Sequence, residues 1–332
     1  MTTKKILVLG STSFSGAYFV REALQRQFEV FGISRSPEPD PVFLPYHEGE
    51  YAASRFNFFQ YDLNHDIDTI IDITKDIKPE YIINFAAQGM VAQSWKAPDQ
   101  WFMTNFVSAV KLHQALINSL FLKKFVQVST PEVYGNCHGS IVETNGYYPS
   151  TPYAVSKAAV DMSLMSFFRQ YGFPVVFTRA ANIYGPCQQL YRIIPKAVLC
   201  FLKKEPIELH GGGKSVRSFV HIQDVVEGTF SAMLSEKNGQ IYHFATNEYI
   251  SIKELVKLIC KKLCVPFDQY VKNVEDRPGK DDAYLLNCVK SENELGWKST
   301  ISLDNGLDKT IVWVKNHFDI LKEMPCEYLH KP

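Results

Sequence analysis

A short apolar run, Lys5-Ile-Leu-Val-Leu-Gly10, passes through a glycine-bearing turn into an amphipathic stretch from Gly16 to Gln27, and the same change of period then recurs along the chain. An apolar run without polar alternation suits a strand buried on both faces, the kind that parallel sheets use. Strand and helix then follow in turn. Glu29 to Ile33 is a strand, as is Asn57 to Tyr61; Ile67 to Asp76 is helical; Tyr81 to Phe85 is a strand. Asn105 to Ser119 is helical, Phe125 to Ser129 a strand, Tyr153 to Tyr171 a helix and Val175 to Thr178 a strand. Parallel neighbours need crossover connections, and the short links leave the helices to supply them. The pattern predicts an α/β chain on a doubly wound parallel sheet.

After about Ala180 the alternation stops, and Gly, Pro and Arg punctuate the chain at Gly185-Pro186, Arg192, Gly211-Gly-Gly213, Arg217 and Asp276-Arg-Pro-Gly279. This predicts a smaller mixed α/β domain over the C-terminal ends of the strands, where ligands of open α/β sheets bind. Ser218 to Ile222 and Ile241 to Ala245 read as strands returning to the first domain. The expected division is therefore discontinuous: residues 1–180 with about 218–246 form a Rossmann-type dinucleotide-binding domain, and about 181–217 with 247–332 form a substrate domain.

The turn Gly10-Ser-Thr-Ser13-Phe14-Ser15-Gly16 lets backbone approach a pyrophosphate at a helix N-terminus. Ser13 stands at its middle, small and able to hydrogen-bond phosphate. At the end of the second strand, where an acidic residue would hold the ribose of NAD, the chain reads Ser34-Arg35-Ser36. A guanidinium with flanking hydroxyls suits a 2′-phosphate, so NADP is favoured and NAD stays open. Asp62 and Leu63 are placed to meet the adenine edge, and Ala86, Ala87 and Gln88 to run under the cofactor. Asn105 either orders this region or packs.

The segment Ser129-Thr130-Pro131-Glu132-Val-Tyr-Gly135 and the later Tyr153-Ala-Val-Ser-Lys157 bring a hydroxyl, a carboxylate, a phenol and an ammonium to the mouth of the sheet. Tyr153 and Lys157, four apart on a helix, share a face. Lowering a tyrosine from about 10 to about 7 takes roughly 4 kcal/mol of differential stabilisation. A neighbouring ammonium and a cationic nicotinamide would supply it, leaving a phenolate to accept a proton as hydride departs. Pro131 fixes its own φ and pushes Thr130 towards extended geometry.

Lys plus Arg and Asp plus Glu both number 35, so no global field draws nucleic acid or an anionic membrane. No apolar run approaches a membrane span and no signal peptide precedes the first strand, so the expected location is cytoplasmic. The 7 cysteines are odd in number and scattered, which fits reduced thiols; Cys260 and Cys264 read as core thiols on a helix. His210, His221 and His243 lack metal-ligand spacing and read as structural, so no metal is expected.

Together these motifs resemble the extended short-chain dehydrogenase/reductase family, in its nucleotide-sugar 4,6-dehydratase branch. The resemblance implies a catalytic set of Thr130, Glu132, Tyr153 and Lys157. The dTDP-glucose group typically shows S-T-D-E-V-Y-G, and Pro131 here replaces the aspartate that serves as general acid. The GDP-mannose group has a small residue there, keeps the glutamate and tends to use NADP; Ala86-Ala87-Gln88 and Gly32-Ile-Ser-Arg35 are similar to it. Arg179-Ala-Ala-Asn182-Ile-Tyr-Gly-Pro186 resembles the substrate motif R-x-x-N-x-Y-G-P. The implied substrate-binding residues are Gln88, Asn182, Arg192, Arg217, Asn247 and Arg277, with the arginines gripping a diphosphate through forked, charge-assisted bonds.

The implied reaction is redox-neutral. Tyr153 takes the O4 proton of a nucleoside-diphosphate hexose as hydride leaves C4, Thr130 orients that oxygen, and Glu132 removes the acidified C5 proton. Water leaves from C6 and hydride returns there, giving a 4-keto-6-deoxy sugar. Without an acid at Pro131, either Glu132 or a bound water must protonate the departing hydroxyl. The substrate extends to GDP-linked hexoses, N-acetylated ones included. C4 epimerisation, decarboxylation of a uronate and a non-catalytic dinucleotide-binding regulator remain alternatives. Family members commonly pair through two helices per subunit. The second helix here, with Val160, Met162, Leu164, Met165 and Phe168, points to such a homodimer built on a four-helix bundle.

Overall fold

The computed structural model describes residues 3–48, 55–136, 140–275 and 285–331. Strand β1 (Lys5–Leu9) lies inside a seven-stranded, wholly parallel sheet. On one side of it are β2 (Glu29–Ser34) and then β3 (Phe56–Gln60). On the other are β4 (Tyr81–Asn84), β5 (Lys124–Val128), β7 (Val175–Ala180) and β11 (Gln240–Phe244); β6 (Ser140–Ile141) lies elsewhere. The period-2 alternation of a strand splits β1 between two cores. Ile6 and Val8 belong to one apolar cluster, and Leu7 and Leu9 to the other. Phe19 of the helix Phe14–Gln25 stacks on Phe230 of the helix Ile222–Leu234 at 4.3 Å on the first face. The second face receives Ile70, Leu112, Val160 and Leu164.

The helix Pro152–Tyr171 has its ends written in sequence. The Thr151 hydroxyl accepts from the Ala154 N–H at 3.1 Å, Pro152 follows at the first turn, and Gly172 ends the helix in left-handed geometry at φ 68°. The helix expected over Asn105 to Ser119 is instead part of a longer helical run from Pro98 to Leu116. That run passes through a π segment at Met103–Ser108, and Asn105 sits inside it. Extra residues in such turns re-aim side chains, and here the beneficiary is Asn105.

One expected strand went elsewhere. The segment around Ser218 to Ile222 does contain a strand, β10 (Val216–His221), but it does not join the large sheet. It pairs in parallel with β8 (Asn182–Tyr184) and antiparallel with β12 (Tyr249–Ser251). Its apolar content was correct, but the open edge beside β7 is taken by β11, as expected of Ile241 to Ala245. Strand β9 (Ile207–His210) pairs with β13 (Val271–Val274), and β14 (Leu285–Leu286) with β6. One apolar cluster runs from the sheet through Phe230 and Phe244 to Trp297, Leu307 and Trp313, tying the later segments to the first domain's core.

Candidate active site

Strand β5 ends at Ser129, and Thr130 leaves it extended at φ −147° and ψ 148°, as the following proline requires. Pro131 opens the short 3-10 turn Pro131–Tyr134, in which the Glu132 N–H donates to the Thr130 hydroxyl at 3.3 Å. Gly135 ends the turn at φ 71°, where a Cβ would lie 2.1 Å from the Tyr148 carbonyl oxygen. Thr130 and Glu132 are thus presented on a rigid exit. The Thr130 hydroxyl also hydrogen-bonds the Tyr153 phenol.

The phenol is held above its ordinary pKa, first by burial and then by the Glu132 carboxylate; the Thr130 hydrogen bond and Arg192 pull the other way and are outweighed. The Lys157 side chain, one turn along the same helix, is held by the strand exit. Its ammonium donates to the Val128 carbonyl at 2.8 Å, and burial draws the lysine down to about 8 against the opposing pull of Asp161. Behind this pair lies a buried polar network that sequence reasoning missed. Asp161 accepts from Ser129 at 2.5 Å and from Arg179 at 2.9 Å. Arg179 lies over the rings of Tyr134 and Tyr147, and Tyr134 donates to His243 Nε2 at 2.8 Å while His243 Nδ1–H donates to the Asn287 carbonyl. Arg179, expected in a substrate motif, is fully buried and serves this network instead. The repeated four-residue spacing from Tyr153 through Lys157 to Asp161 was the available signal, since all three share one helix face.

A cavity of about 200 Å³ lies over the exits of β1, β2 and β4, lined by Gly10, Ser13, Ser34, Arg35, Asp62, Leu63, Ala86, Ala87 and Gln88. Gly10 sits at φ 76°, and a Cβ there would stand 2.7 Å from the Ala86 nitrogen, so only glycine leaves this approach open. Three residues expected to meet the cofactor also have other partners. Ser13 caps the first helix, accepting from Gly16 N–H at 3.2 Å and donating to the Gly10 carbonyl at 2.6 Å. Ser34 accepts from the Thr12 N–H, so it braces the glycine turn. The Asp62 carboxylate accepts from Asn64 N–H at 2.6 Å. Phe14 is buried against Tyr18 in the core, and Ser15 and Gly16 stand at the helix start outside the cavity lining. Arg35 lines this cavity at the exit of β2.

Asn105 is an orienting clamp. Its Oδ1 accepts from the Gln88 N–H at 2.7 Å, and its Nδ2 donates to the Gln88 carbonyl and to Ser156. It thereby ties the exit of β4 to the helix that carries Tyr153. The Gln88 side chain, expected to meet substrate, is 2% exposed and donates to the Lys331 carbonyl at 2.8 Å.

A larger cavity, about 930 Å³, is lined by Glu132, Asn182, Tyr191, Lys196, Arg217 and Glu327 among others. Asn182 and Arg217 therefore share this cavity with Glu132. Arg192 stands just before the helix Ile193–Leu202 with its guanidinium over the Tyr191 ring, beside the cavity. Asn247 is elsewhere, exposed in a separate cavity of about 430 Å³ with Glu248 and Trp297. The short β12 and its loop carry it away from the Glu132 site. Arg277 and Cys137 lie outside the described residues. Lys196 and the segment Met324–Lys331 were missed; Lys196 follows Ile193-Ile-Pro195, which could have pointed to it.

Among the described residues no cluster of His, Cys, Asp and Glu could hold a metal. His221 and His243 are structural, while His210 lines the larger cavity and bonds the Glu275 carbonyl. Cys260 is a buried thiol, but Cys264 is exposed, because it closes its helix in left-handed geometry at φ 56°. No helix among the described residues is long and apolar enough to cross a membrane.

The family model for GDP-mannose 4,6 dehydratase matches residues 7–310. The dTDP-glucose 4,6-dehydratase of Xanthomonas campestris is 29% identical over 330 residues, covering 92% of each chain. The human dTDP-D-glucose 4,6-dehydratase is 29% identical over 323 residues, 95% of this chain and 91% of that one. Among solved structures, the dTDP-glucose 4,6-dehydratase DesIV from Streptomyces venezuelae, with NAD bound, matches at TM-score 0.87 and 28% identity, over 95% of this chain and 98% of that one. The UDP-glucose 4-epimerase of Thermotoga maritima, with UDP-glucose, matches at TM-score 0.85 and 26% identity, over 95% and 99%. With Thr130, Glu132, Tyr153 and Lys157 gathered at one strand exit and the family match running through nearly the whole of it, the chain belongs to the GDP-mannose 4,6-dehydratase family, among the nucleotide-sugar 4,6-dehydratases of the extended short-chain dehydrogenase/reductase type.

Proposed function

We propose that this nucleotide-sugar 4,6-dehydratase converts a nucleoside-diphosphate hexose to its 4-keto-6-deoxy product using Thr130, Glu132, Tyr153 and Lys157, with NADP as the preferred cofactor. The observation that carries it is the Glu132 carboxylate, which lines the larger cavity and acts electrostatically on the Tyr153 phenol. An epimerase needs a base for the C4 hydroxyl; elimination also needs one for C5, and a carboxylate at the end of the Thr130 turn supplies it. A bound nicotinamide dinucleotide supplies the reversible hydride acceptor and a positive charge beside the phenol. Thr130 orients the C4 oxygen and Tyr153 exchanges its proton. Lys157, fixed to the Val128 carbonyl, holds a positive charge at the strand exit. Pro131 carries no proton, so Glu132 or a water completes the loss of the C6 hydroxyl.

In this reading residues 1–180 with about 218–246 hold the dinucleotide, and about 181–217 with 247–332 hold the nucleotide sugar through Asn182, Arg192, Arg217 and Arg277. A GDP-linked hexose, N-acetylated or not, is the favoured substrate. Arg35 supports the preference for NADP, since it is a cation at the exit of β2, where the ribose 2′ position of a bound dinucleotide lies. The working form is a homodimer in the cytoplasm, paired through the helical run Pro98–Leu116 and the helix Pro152–Tyr171.

The test is mass spectrometry of products from a panel of nucleotide sugars. Loss of one water from a hexose, abolished by Glu132→Gln, supports the proposal. Unchanged mass with an inverted C4 centre would make the chain an epimerase, and loss of carbon dioxide from a uronate a decarboxylase.

A further inference from the structure

The segment Met324–Lys331 runs from one cavity to the other. Met324, Cys326 and Glu327 line the larger cavity, and the Glu327 carboxylate pairs with Lys196 at 2.6 Å. Tyr328 packs edge-on against Tyr191 with ring centroids 5.2 Å apart. His330 stacks on the fully buried Trp101 at 5.1 Å and 12°, and its Nε2 meets Gln100 Oε1 at 2.6 Å. Lys331 then reaches two lining residues of the dinucleotide cavity. Its carbonyl accepts from Gln88 at 2.8 Å, and its ammonium donates to Ser36 Oγ at 3.1 Å.

Ser36 follows β2 and Gln88 follows β4, the strands on either side of β1. A residue touching both spans the mouth of the cavity above the glycine turn. We infer that Met324–Lys331 is an outer wall of the dinucleotide site, and that Lys331 is a second cation, with Arg35, for the 2′-phosphate of NADP. The corner at the exit of β2 is where a dinucleotide's ribose lies, and Ser36 holds the Lys331 ammonium next to Arg35 in sequence. The phenol of Tyr328 feels both Arg35 and Arg192, which sets this wall between the cofactor corner and the substrate arginine. Two cations converging on one dianionic group bind it better than either alone, and the gain is screened by salt because Lys331 is exposed. Its aromatic anchors let the wall persist while the lysine turns from Ser36 to a phosphate.

This inference rests on the NADP reading above, and the test separates the two. Equilibrium binding of NADPH and NADH is followed by cofactor fluorescence in the wild type and in Arg35→Ala, Lys331→Ala, Lys331→Arg and Lys331→Glu, at low and high salt. Lys331 is exposed, so these variants leave the core intact. The expected result is that Lys331→Ala weakens NADPH about three- to tenfold, a range suited to an exposed charged contact, while NADH changes less than twofold. Lys331→Arg restores the affinity, Lys331→Glu worsens it, and the NADPH advantage shrinks with salt. If Arg35→Ala loses NADPH while Lys331→Ala binds it like wild type, this inference is overturned and the NADP reading stands. If neither variant distinguishes the two cofactors, both fall. Tighter NADPH binding in Lys331→Ala would also overturn it, by showing that the segment obstructs the site.

Discussion

Asp161 and Arg179 form an ion pair of 2.9 Å with neither side chain exposed to solvent, and Asp161 lies one helical turn beyond Lys157. Asp161 opposes the depression of the Lys157 pKa, so it helps to keep that ammonium charged. Removing one member of a buried pair leaves the other charge uncompensated, at a cost of about 3–5 kcal/mol. Asp161→Asn should lose stability of that order in denaturant unfolding. Lys157, now below about 8, should deprotonate earlier, moving the alkaline limb of the rate profile to lower pH. Lys157→Arg in the same background keeps its charge and should return the limb. Wild-type stability with an unmoved limb would show that the pair is a bystander.

Glu132→Gln preserves size and hydrogen bonding but removes the proposed C5 base. Turnover should fall by on the order of 10²-fold or more, and exchange of solvent deuterium into C5 should fall with it. The Tyr153 phenol should titrate lower in the variant, because the Glu132 carboxylate raises it. Near-normal turnover would make the carboxylate structural.

Burial lowers His113 to about 3, His221 to about 4 and His243 to about 3. Each is neutral in the folded chain and protonates near its usual value of about 6.5 when unfolded. The unfolded state therefore binds more protons between those limits. The histidines' contribution to stability should be flat above about pH 7 and fall as the medium acidifies, by up to about 1.4 kcal/mol per pH unit per histidine. Neither ring nitrogen of His113 has a hydrogen-bond partner, and the ring meets Phe125 edge-on. His113→Leu should remove one part of this slope and be neutral or stabilising at pH 7. Thermal melts at pH 7 and pH 5 check both statements, and an unchanged slope would refute them.

The apolar surplus expected on the helix Pro152–Tyr171 is smaller in the fold. Val160 and Leu164 are fully buried and Met165 nearly so, all in the core beneath the sheet. Val155 and Met162 remain exposed, as does Tyr171 at the helix end, and so are Met103 and Val107 of the helical run that packs against this helix. Seven- and four-residue spacings put each pair on one helix face, so the remaining stripe still suits a paired helix face. Light scattering at micromolar concentration should give a dimer that Met162→Glu splits into monomers. A wild-type monomer would rule the dimer out.

Local patterns carried much of this structure. Apolar runs marked all seven strands of the large sheet or their close bounds, and Thr151, Pro152 and Gly172 marked the limits of the catalytic helix. The four-residue spacing of Tyr153 and Lys157 and the extended Thr130 before Pro131 follow from helix period and proline sterics alone. The direction of the Lys157 ammonium did not follow, because its partner, the Val128 carbonyl, belongs to a strand 29 residues earlier. The same holds for the Asn105 clamp on Gln88, the burial of Arg179 against Asp161, and the strand Val216–His221 choosing β8 over the large sheet. Gln88 and Lys331 are 243 residues apart. Periodicity reports only what one element does along its own axis; which polar groups of distant elements meet is settled when the elements pack, and buried donors and acceptors must then find whatever partners that packing provides.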